Sequence, residues 1–193
     1  SPENVAQFLT QHAVRELNDN EKTRALKLLE IQRYAMLMYT SCGWFFDDIS
    51  GIETVQVIQY AGHALRLGQE LFGDSLESGF LDRLGQAKSN LPAYRDGQQI
   101  YEELVRPSLA QLHLVGAHHA MSSLFDHDGE QDHVYCYAVE REDYKALSTG
   151  NVRLALGRAK ITSEITSESK RLGFAVLHLG DHNLSCGVRE FSS

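Results

Sequence analysis

Apolar residues recur every three or four positions through the first two thirds of the chain, as on one face of an α-helix. This spacing predicts helices over about residues 20–38 and 51–72, and a further helix over residues 97–124 that Pro107 should interrupt. The segment over residues 20–38 becomes apolar nearly all round after Ile31. We therefore expect its C-terminal half to be deeply buried.

Beyond about residue 126 the pattern changes to alternation, with many β-branched and aromatic residues, which predicts antiparallel strands. The stretches are HVYCYAVE, NVRLALGRAKITSEI, LGFAVLHLG and LSCGVREF. The predicted fold class is α+β. We expect mainly a helical bundle over about residues 1–125, followed by a small antiparallel β-sheet subdomain over residues 126–193 that packs on it. The chain opens SPENV without an initiator methionine and stops at REFSS, so we expect an excised piece of a larger protein.

The junction between the second and third helices, TSCGWFFDDISGIET, contains the only tryptophan of the chain. One interpretation is a core plug of large aromatic side chains followed by a solvated acidic turn. The other is a ligand surface, in which aromatic faces stack on the C–H face of a sugar ring and carboxylates accept its hydroxyl groups. The candidate residues are Trp44, Phe45, Asp47 and Asp48. Ser50 and Glu53 have the spacing of a capping box, which predicts that the third helix starts near Gly51.

The charge and cysteine content exclude several classes of protein. Eighteen Lys and Arg against twenty-six Asp and Glu give a net charge of −8, and the basic residues are scattered. This argues against nucleic acid or an anionic membrane as a partner. No apolar run is long enough to cross a bilayer and no signal segment is present, so a cytoplasmic location is predicted. Cys42, Cys136 and Cys186 lack CxxC spacing, which argues against a disulfide framework and favours reduced, mostly buried thiols.

Histidines and acidic residues concentrate in GAHHAMSSLFDHDGEQDH and in HLGDHN. Adjacent His118 and His119 on a helix point about 100° apart and would not share an ion. The segment DHDGEQD lacks the ligand pattern of a calcium-binding EF-hand loop. We therefore predict neither a metal site nor a cofactor, and a metal-dependent hydrolase stays an alternative.

The tripeptide after Gly180 suits a polar hairpin turn, because Asp and Asn favour turns. The alternative is a polar cluster at an interface with another domain. The residues of that possible cluster are His118, Asp181, His182 and Asn183.

Three stretches resemble the domain-of-unknown-function family numbered 3536, which is found C-terminal to catalytic domains of the glycoside hydrolase family 57 type. They are QRYAMLMYTSCGWFFDDISGIETVQVIQYAGHAL, GAHHAMSSLF and FAVLHLGDHNLSCGVREF. The resemblance implies an accessory domain that packs on an upstream catalytic barrel of the same polypeptide and lines its α-glucan cleft. It implies no catalytic residue in this chain, since none matches the catalytic motifs of the barrel.

By this resemblance Trp44 and Asp47 map onto a role in lining the substrate cleft. The Cys42-Gly43 pair before the tryptophan departs from the aromatic-acidic run of the better-known enzymes. The parent protein is expected to be a glycoside hydrolase or a glucan transferase-like enzyme, with carbohydrate as a possible partner. A purely structural or oligomerisation domain remains the main alternative.

Overall fold

The computed structural model describes residues 2–73, 76–109, 111–125 and 133–191, and these residues form an α+β fold, as predicted. The helices are α1 (Pro2–His12), α2 (Asp19–Leu37), α3 (Ile52–Phe72), α4 (Leu76–Leu84), α5 (Gly97–Ile100) and α6 (Leu112–Ser122). The strands are β1 (His133–Val134), β2 (Tyr137–Thr149), β3 (Val152–Ser163), β4 (Ser169–His178) and β5 (Leu184–Glu190). Within the described ranges no helix is both long and apolar enough to span a membrane.

The chain divides into two compact units. One unit combines residues 1–15 with residues 110–193, and the other consists of residues 16–109. The division predicted at residue 125 follows the change of secondary structure, whereas the contacts place α6 in the unit that contains the sheet.

Helix α2 begins where Asn18 and Glu21 form a reciprocal capping box. The Asn18 side chain accepts from the backbone N–H of Glu21, and the Glu21 carboxylate accepts from the backbone N–H of Asn18, both at 3.0 Å. The deep burial expected for its C-terminal half is wrong, because Met36 is 73% exposed and the buried residues of α2 are Leu26 and Lys27. Apolar content alone does not distinguish a buried helix from a helix with an apolar surface.

Helix α3 matches its predicted extent and ends at Gly73, whose φ of 74° is left-handed and favours glycine. The predicted interruption at Pro107 is also confirmed. Helix α5 continues into a π-helical turn over Tyr101–Val105 and a 3-10 turn over Arg106–Ser108. The core of this unit is formed by Ile58, Leu81, Ile100, Tyr101, Val105 and Leu109.

The predicted antiparallel sheet is confirmed, with strand order β1-β2-β3-β4-β5. Strand β2 extends to Thr149, beyond the stretch that alternation predicts, and its register on β3 shifts at a bulge between Arg141 and Asp143. Helix α6 packs on β3, β4 and β5. The approach is close at Gly116, where a Cβ atom would lie 2.6 Å from Leu172 Cδ1.

One face of the sheet and α6 together enclose the core of this unit. Its buried residues are Leu112, Val115, Ala120, Leu124, Val134, Val139, Ala155, Ala159, Ile161, Leu172, Phe174 and Val176.

Candidate functional site

The segment from Thr40 to Ser50, named here the aromatic loop, connects α2 to α3 and exposes its aromatic side chains. Trp44 and Phe45 are each 76% exposed, and Phe46 is also exposed. The interpretation of Trp44 as a core plug is therefore wrong. Such a run of exposed aromatic residues is typical of a surface that contacts a ligand or a partner.

The backbone of the aromatic loop lies directly against α3. The loop contains a 3-10 turn over Ser41–Trp44. The hydroxyl of Thr54 donates to the carbonyl oxygen of Gly43 at 3.0 Å. A Cβ atom on Gly43 would lie 2.7 Å from Val57 Cγ2, so only glycine permits this approach without a shift. The position of Trp44 is thus fixed by the residue that precedes it.

Asp48 holds the C-terminal part of the aromatic loop. Its carboxylate accepts hydrogen bonds from the Ser50 hydroxyl at 2.5 Å, the Ser50 N–H at 2.8 Å, the Ser89 hydroxyl at 2.9 Å and the Asn90 N–H at 2.5 Å. These bonds, those from Ser50 first, hold the pKa of Asp48 well below its ordinary value. The structure thus gives Asp48 a positioning role, and its predicted contact with a sugar stays a prediction.

The expected capping box at Ser50 and Glu53 is wrong. The N-cap of α3 is Gly51, and no side chain caps it. The Ser50 hydroxyl donates to Asp48 instead, because the turn brings that carboxylate within reach. The predicted start of the helix near Gly51 is nevertheless correct.

Asp47 differs from its neighbour, because its side chain is exposed. Among residues 2–73, 76–109, 111–125 and 133–191, none hydrogen-bonds to the Asp47 carboxylate. Its backbone carbonyl oxygen accepts from the Asn90 side-chain amide, so the residue is held while its carboxylate faces solvent. A held and solvated carboxylate can accept hydrogen bonds from hydroxyl groups of a ligand.

The segment that holds Asp48 is itself rigidly connected. Asp96 is almost fully buried and accepts from Arg95 at 2.9 Å, from the Gln99 N–H at 3.2 Å and from Lys88 at 3.2 Å. These contacts, with Arg95 first, lower the pKa of Asp96 to about 2. Sequence patterns gave no sign of Ser89 and Asn90, because they lie about forty positions beyond the loop they hold.

Polar and aromatic side chains also meet between α2 and α3. The Tyr34 ring stacks on His63 with centroids 4.8 Å apart, and the Arg33 guanidinium lies 4.3 Å from the centroid of Tyr34. Lys27, which is buried, donates to Glu70 at 2.9 Å. Burial lowers the pKa of His63, and the positive charges of Arg66 and Arg33 lower it further. In α2, Arg33 recurs with Leu26 and Leu29 at helical spacing, and a charged residue at such an apolar position is a signal of this network in the sequence.

The predicted hairpin turn between β4 and β5 is present. Gly180 and Asp181 have positive φ angles of 99° and 49°, and the Asn183 N–H donates to the Gly180 carbonyl oxygen at 3.1 Å. His118 is exposed on α6, and in the part of the chain that the structure describes no hydrogen bond joins it to Asp181, His182 or Asn183. Their role as one interface cluster stays a prediction.

The histidine-rich segment contributes no metal site within the described ranges, where no group of three or more His, Cys, Asp or Glu side chains is placed to hold an ion. His119 is buried and lies edge-on to Phe174, with ring centroids 6.2 Å apart. His133 lies in β1, with its Nε2 3.0 Å from Glu164 Oε1, and the other candidates of that segment lie outside the described residues. They are Asp126, His127, Asp128 and Asp132.

The cysteines are thiols, as expected, but none is buried. Cys42 is exposed in the aromatic loop, and Cys136 and Cys186 are half-buried. Burial raises the pKa of Cys186. The expectation of mostly buried thiols is therefore wrong.

The fold and the aromatic loop together define an α+β domain that presents a held, exposed aromatic-acidic surface. The sequence profile of the family described as "Domain of unknown function (DUF3536)" matches residues 1–193, so the chain belongs to that family. A search of curated proteins and a search of solved structures each found no match.

Proposed function

We propose that this chain is an accessory domain of a glycoside hydrolase family 57-like protein. It packs on an upstream catalytic barrel of the same polypeptide and lines its α-glucan cleft with the aromatic loop, without catalytic residues of its own. The cytoplasmic location predicted from the sequence is part of this proposal.

The observation that carries the proposal is the pairing of exposed Trp44 with the exposed carboxylate of Asp47 on one held loop. A sugar ring offers an apolar C–H face edged by hydroxyl groups. An exposed aromatic face and a carboxylate that accepts hydrogen bonds are complementary to these two features.

The rigidity of the loop also supports a binding role. A ligand pays less ordering entropy on a surface that is already fixed. The bonds from Ser89 and Asn90 to Asp48, together with the Thr54 bond to Gly43, fix both ends of the loop before any ligand arrives.

The experiment is a titration of the chain with linear malto-oligosaccharides, followed by the fluorescence of Trp44. Because Trp44 is the only tryptophan, its emission reports on the loop directly. We expect a saturable shift of the emission on adding oligosaccharide. The variant Asp47→Asn should weaken binding by about tenfold, the loss that corresponds to about 1.4 kcal/mol.

Trp44→Ala removes the fluorescent side chain, so the binding of oligosaccharide to this variant is measured by calorimetry. Phe72→Ala is the matched control. Phe72 is an exposed aromatic residue at the end of α3. Trp44→Ala should abolish measurable binding, whereas Phe72→Ala should leave it unchanged. An unchanged emission spectrum at saturating oligosaccharide, or equal losses in the two alanine variants, would contradict a glucan-contacting role for the loop.

A further inference from the structure

The segment from Ala87 to Gly97, named here the clamp, contacts the aromatic loop through Asn90. The backbone N–H of Asn90 donates to the Asp48 carboxylate at 2.5 Å, and its side-chain amide donates to the backbone carbonyl oxygen of Asp47. One residue of the clamp therefore holds two consecutive residues of the aromatic loop, which lie 42 and 43 positions before it in the sequence. Both segments belong to the compact unit of residues 16–109.

The clamp is closed on itself at its base. The backbone N–H of Gly97 donates to the carbonyl oxygen of Ala87 at 2.9 Å. Lys88 and Arg95 approach from the two arms of the clamp and both donate to the buried carboxylate of Asp96, at 3.2 Å and 2.9 Å. A closed segment loses little freedom when a ligand binds, so the side chains that it carries are already in place.

The side-chain amide of Asn90 has one hydrogen bond to the protein and further capacity to bond. A carbonyl oxygen can only accept, so the amide atom that faces the Asp47 carbonyl oxygen is the donor Nδ2. Within the described ranges, neither Oδ1 nor the second N–H of this amide has a partner, and Asn90 is exposed. A donor and an acceptor are therefore available directly beside Asp47.

Asp47 and Asn90 together present two different polar groups to a ligand. The exposed carboxylate of Asp47 accepts hydrogen bonds, whereas the amide of Asn90 both donates and accepts them. The bond from the Asn90 amide to the Asp47 backbone keeps the two side chains close to each other. An acceptor and an amide held together in this way can bond to two neighbouring groups of one ligand at the same time.

The chemistry of this pair favours two neighbouring hydroxyl groups. A hydroxyl group both donates and accepts, so one hydroxyl can donate to the Asp47 carboxylate while its neighbour bonds to the Asn90 amide. An anionic ligand would be repelled by the same carboxylate. Inside an α-1,4-linked glucan, the neighbouring hydroxyl groups of each glucose ring are O2 and O3, because O1 and O4 join the rings and O6 lies outside the ring.

We propose that Asn90 is a binding residue of the glucan site, and that Asn90 and Asp47 together recognise the O2 and O3 hydroxyl groups of one glucose ring. This inference rests on the proposed function of the aromatic loop. It adds a residue from a distant segment and a specificity, because the site should require free O2 and O3 groups and should tolerate substitution at O6.

The test uses three linear probes: maltohexaose, maltohexaose methylated at every O6, and maltohexaose methylated at every O2 and O3. Each probe is titrated into the wild-type chain and followed by the emission of Trp44, the only tryptophan. The O6-methylated probe should bind as tightly as maltohexaose. The probe methylated at O2 and O3 should bind at least about tenfold more weakly, because its ether oxygens cannot donate to Asp47.

The variant Asn90→Ala removes the amide but keeps the backbone N–H that bonds to Asp48. It should weaken the binding of maltohexaose by about fivefold, the loss expected for one neutral hydrogen bond. It should leave the binding of the probe methylated at O2 and O3 unchanged, because the methyl groups already keep those oxygens from the amide. A purely structural role of Asn90 would instead weaken the binding of all three probes equally.

Asn20→Ala is the matched control, because Asn20 is an exposed asparagine in the first turn of α2, at the end opposite to the aromatic loop. It should change the binding of none of the probes. Far-UV circular dichroism checks the fold of both variants, and the comparison of probes on the wild-type chain needs neither variant.

Equal binding of the two methylated probes to the wild-type chain would overturn the inference and leave the proposed function in place. So would an Asn90→Ala variant that binds maltohexaose like Asn20→Ala, or that weakens all three probes equally. If maltohexaose itself does not bind to the wild-type chain, the proposed function and the inference are both overturned.

Discussion

Substituting Gly43 tests how the aromatic loop is positioned. In Gly43→Ala the new methyl group would lie 2.7 Å from Val57 Cγ2, whereas carbon atoms in contact are ordinarily 3.5–4.0 Å apart. The loop and the Val57 side chain must therefore separate by about 1 Å, and movement of the loop would lengthen the 3.0 Å bond from Thr54 to Gly43.

The expected change in the free energy of unfolding of Gly43→Ala is the difference between two opposing effects. Overpacking of this kind costs about 1–3 kcal/mol. The lower entropy of the unfolded chain with alanine offsets about 0.4–1 kcal/mol of that cost, since Gly43 does not need a positive φ angle. We expect a net loss of about 1–2 kcal/mol in the free energy of unfolding, with a changed environment of Trp44.

A double-mutant cycle separates the clash from other effects of alanine. Val57→Ala removes the Cγ2 atom that the new methyl group would meet. The double variant Gly43→Ala/Val57→Ala should recover about 1 kcal/mol relative to the sum of the single effects.

The assay is urea denaturation, followed by far-UV circular dichroism and by Trp44 emission. If Gly43→Ala is as stable as the wild-type chain, or if Val57→Ala brings no recovery, the contact between the loop and α3 does not position Trp44 as described.

Two further predictions concern pH and helix packing. The pKa of His63 is lowered by burial, so the unfolded chain binds its proton more readily, and the free energy of unfolding should decrease as pH falls below about 6.5. The lowered pKa of Asp48 contributes stability above about pH 4 that should be lost as pH falls further. Midpoints of urea denaturation measured from pH 8 to 3 check both predictions. His63→Gln should flatten the dependence of stability on pH near neutral pH, and Asp48→Asn should flatten it in the acidic range. If the variants leave this dependence unchanged, the two residues are not its cause. In α3, a Cβ atom on Gly62 would lie 3.1 Å from Leu109 Cδ2, whereas one on Gly68 would have ordinary contacts of 3.5 Å. Gly68→Ala should therefore stabilise the chain by about 1 kcal/mol, and Gly62→Ala should be at least about 1 kcal/mol less favourable in urea denaturation; equal effects would contradict the tight packing.

The sequence predicted the fold class and the bounds of α2 and α3, because periodicity reports which residues can share a face. The extent of α3 and its end at Gly73 followed from spacing and from one glycine. The exposure of Met36 could not be predicted from spacing, because burial depends on which elements pack nearby and not on the apolar character of the segment.

The sequence predicted which residues form the candidate site, but not the hydrogen bonds that hold them in place. The aromatic loop was identified from its sequence, whereas the bonds from Ser89 and Asn90 that hold Asp48 require a fold that brings distant segments together. The side of the sheet that carries Leu147 was hidden for a related reason. The bulge between Arg141 and Asp143 shifts the alternation of β2, so the side on which Leu147 lies follows only from the observed register.

The division of the chain into two compact units has a consequence for its biosynthesis. Residues 16–109 form their unit from one continuous segment, whereas the other unit needs both residues 1–15 and residues 110–193. Because a chain leaves the ribosome from its N-terminus and compact units fold as they emerge, the central segment can complete its fold while translation continues. Helix α1 is synthesised before the central segment, but the rest of its unit is synthesised only after residue 109. The sheet-containing unit can therefore be completed only after residue 109 has been synthesised, and we expect it to be the later of the two units to fold.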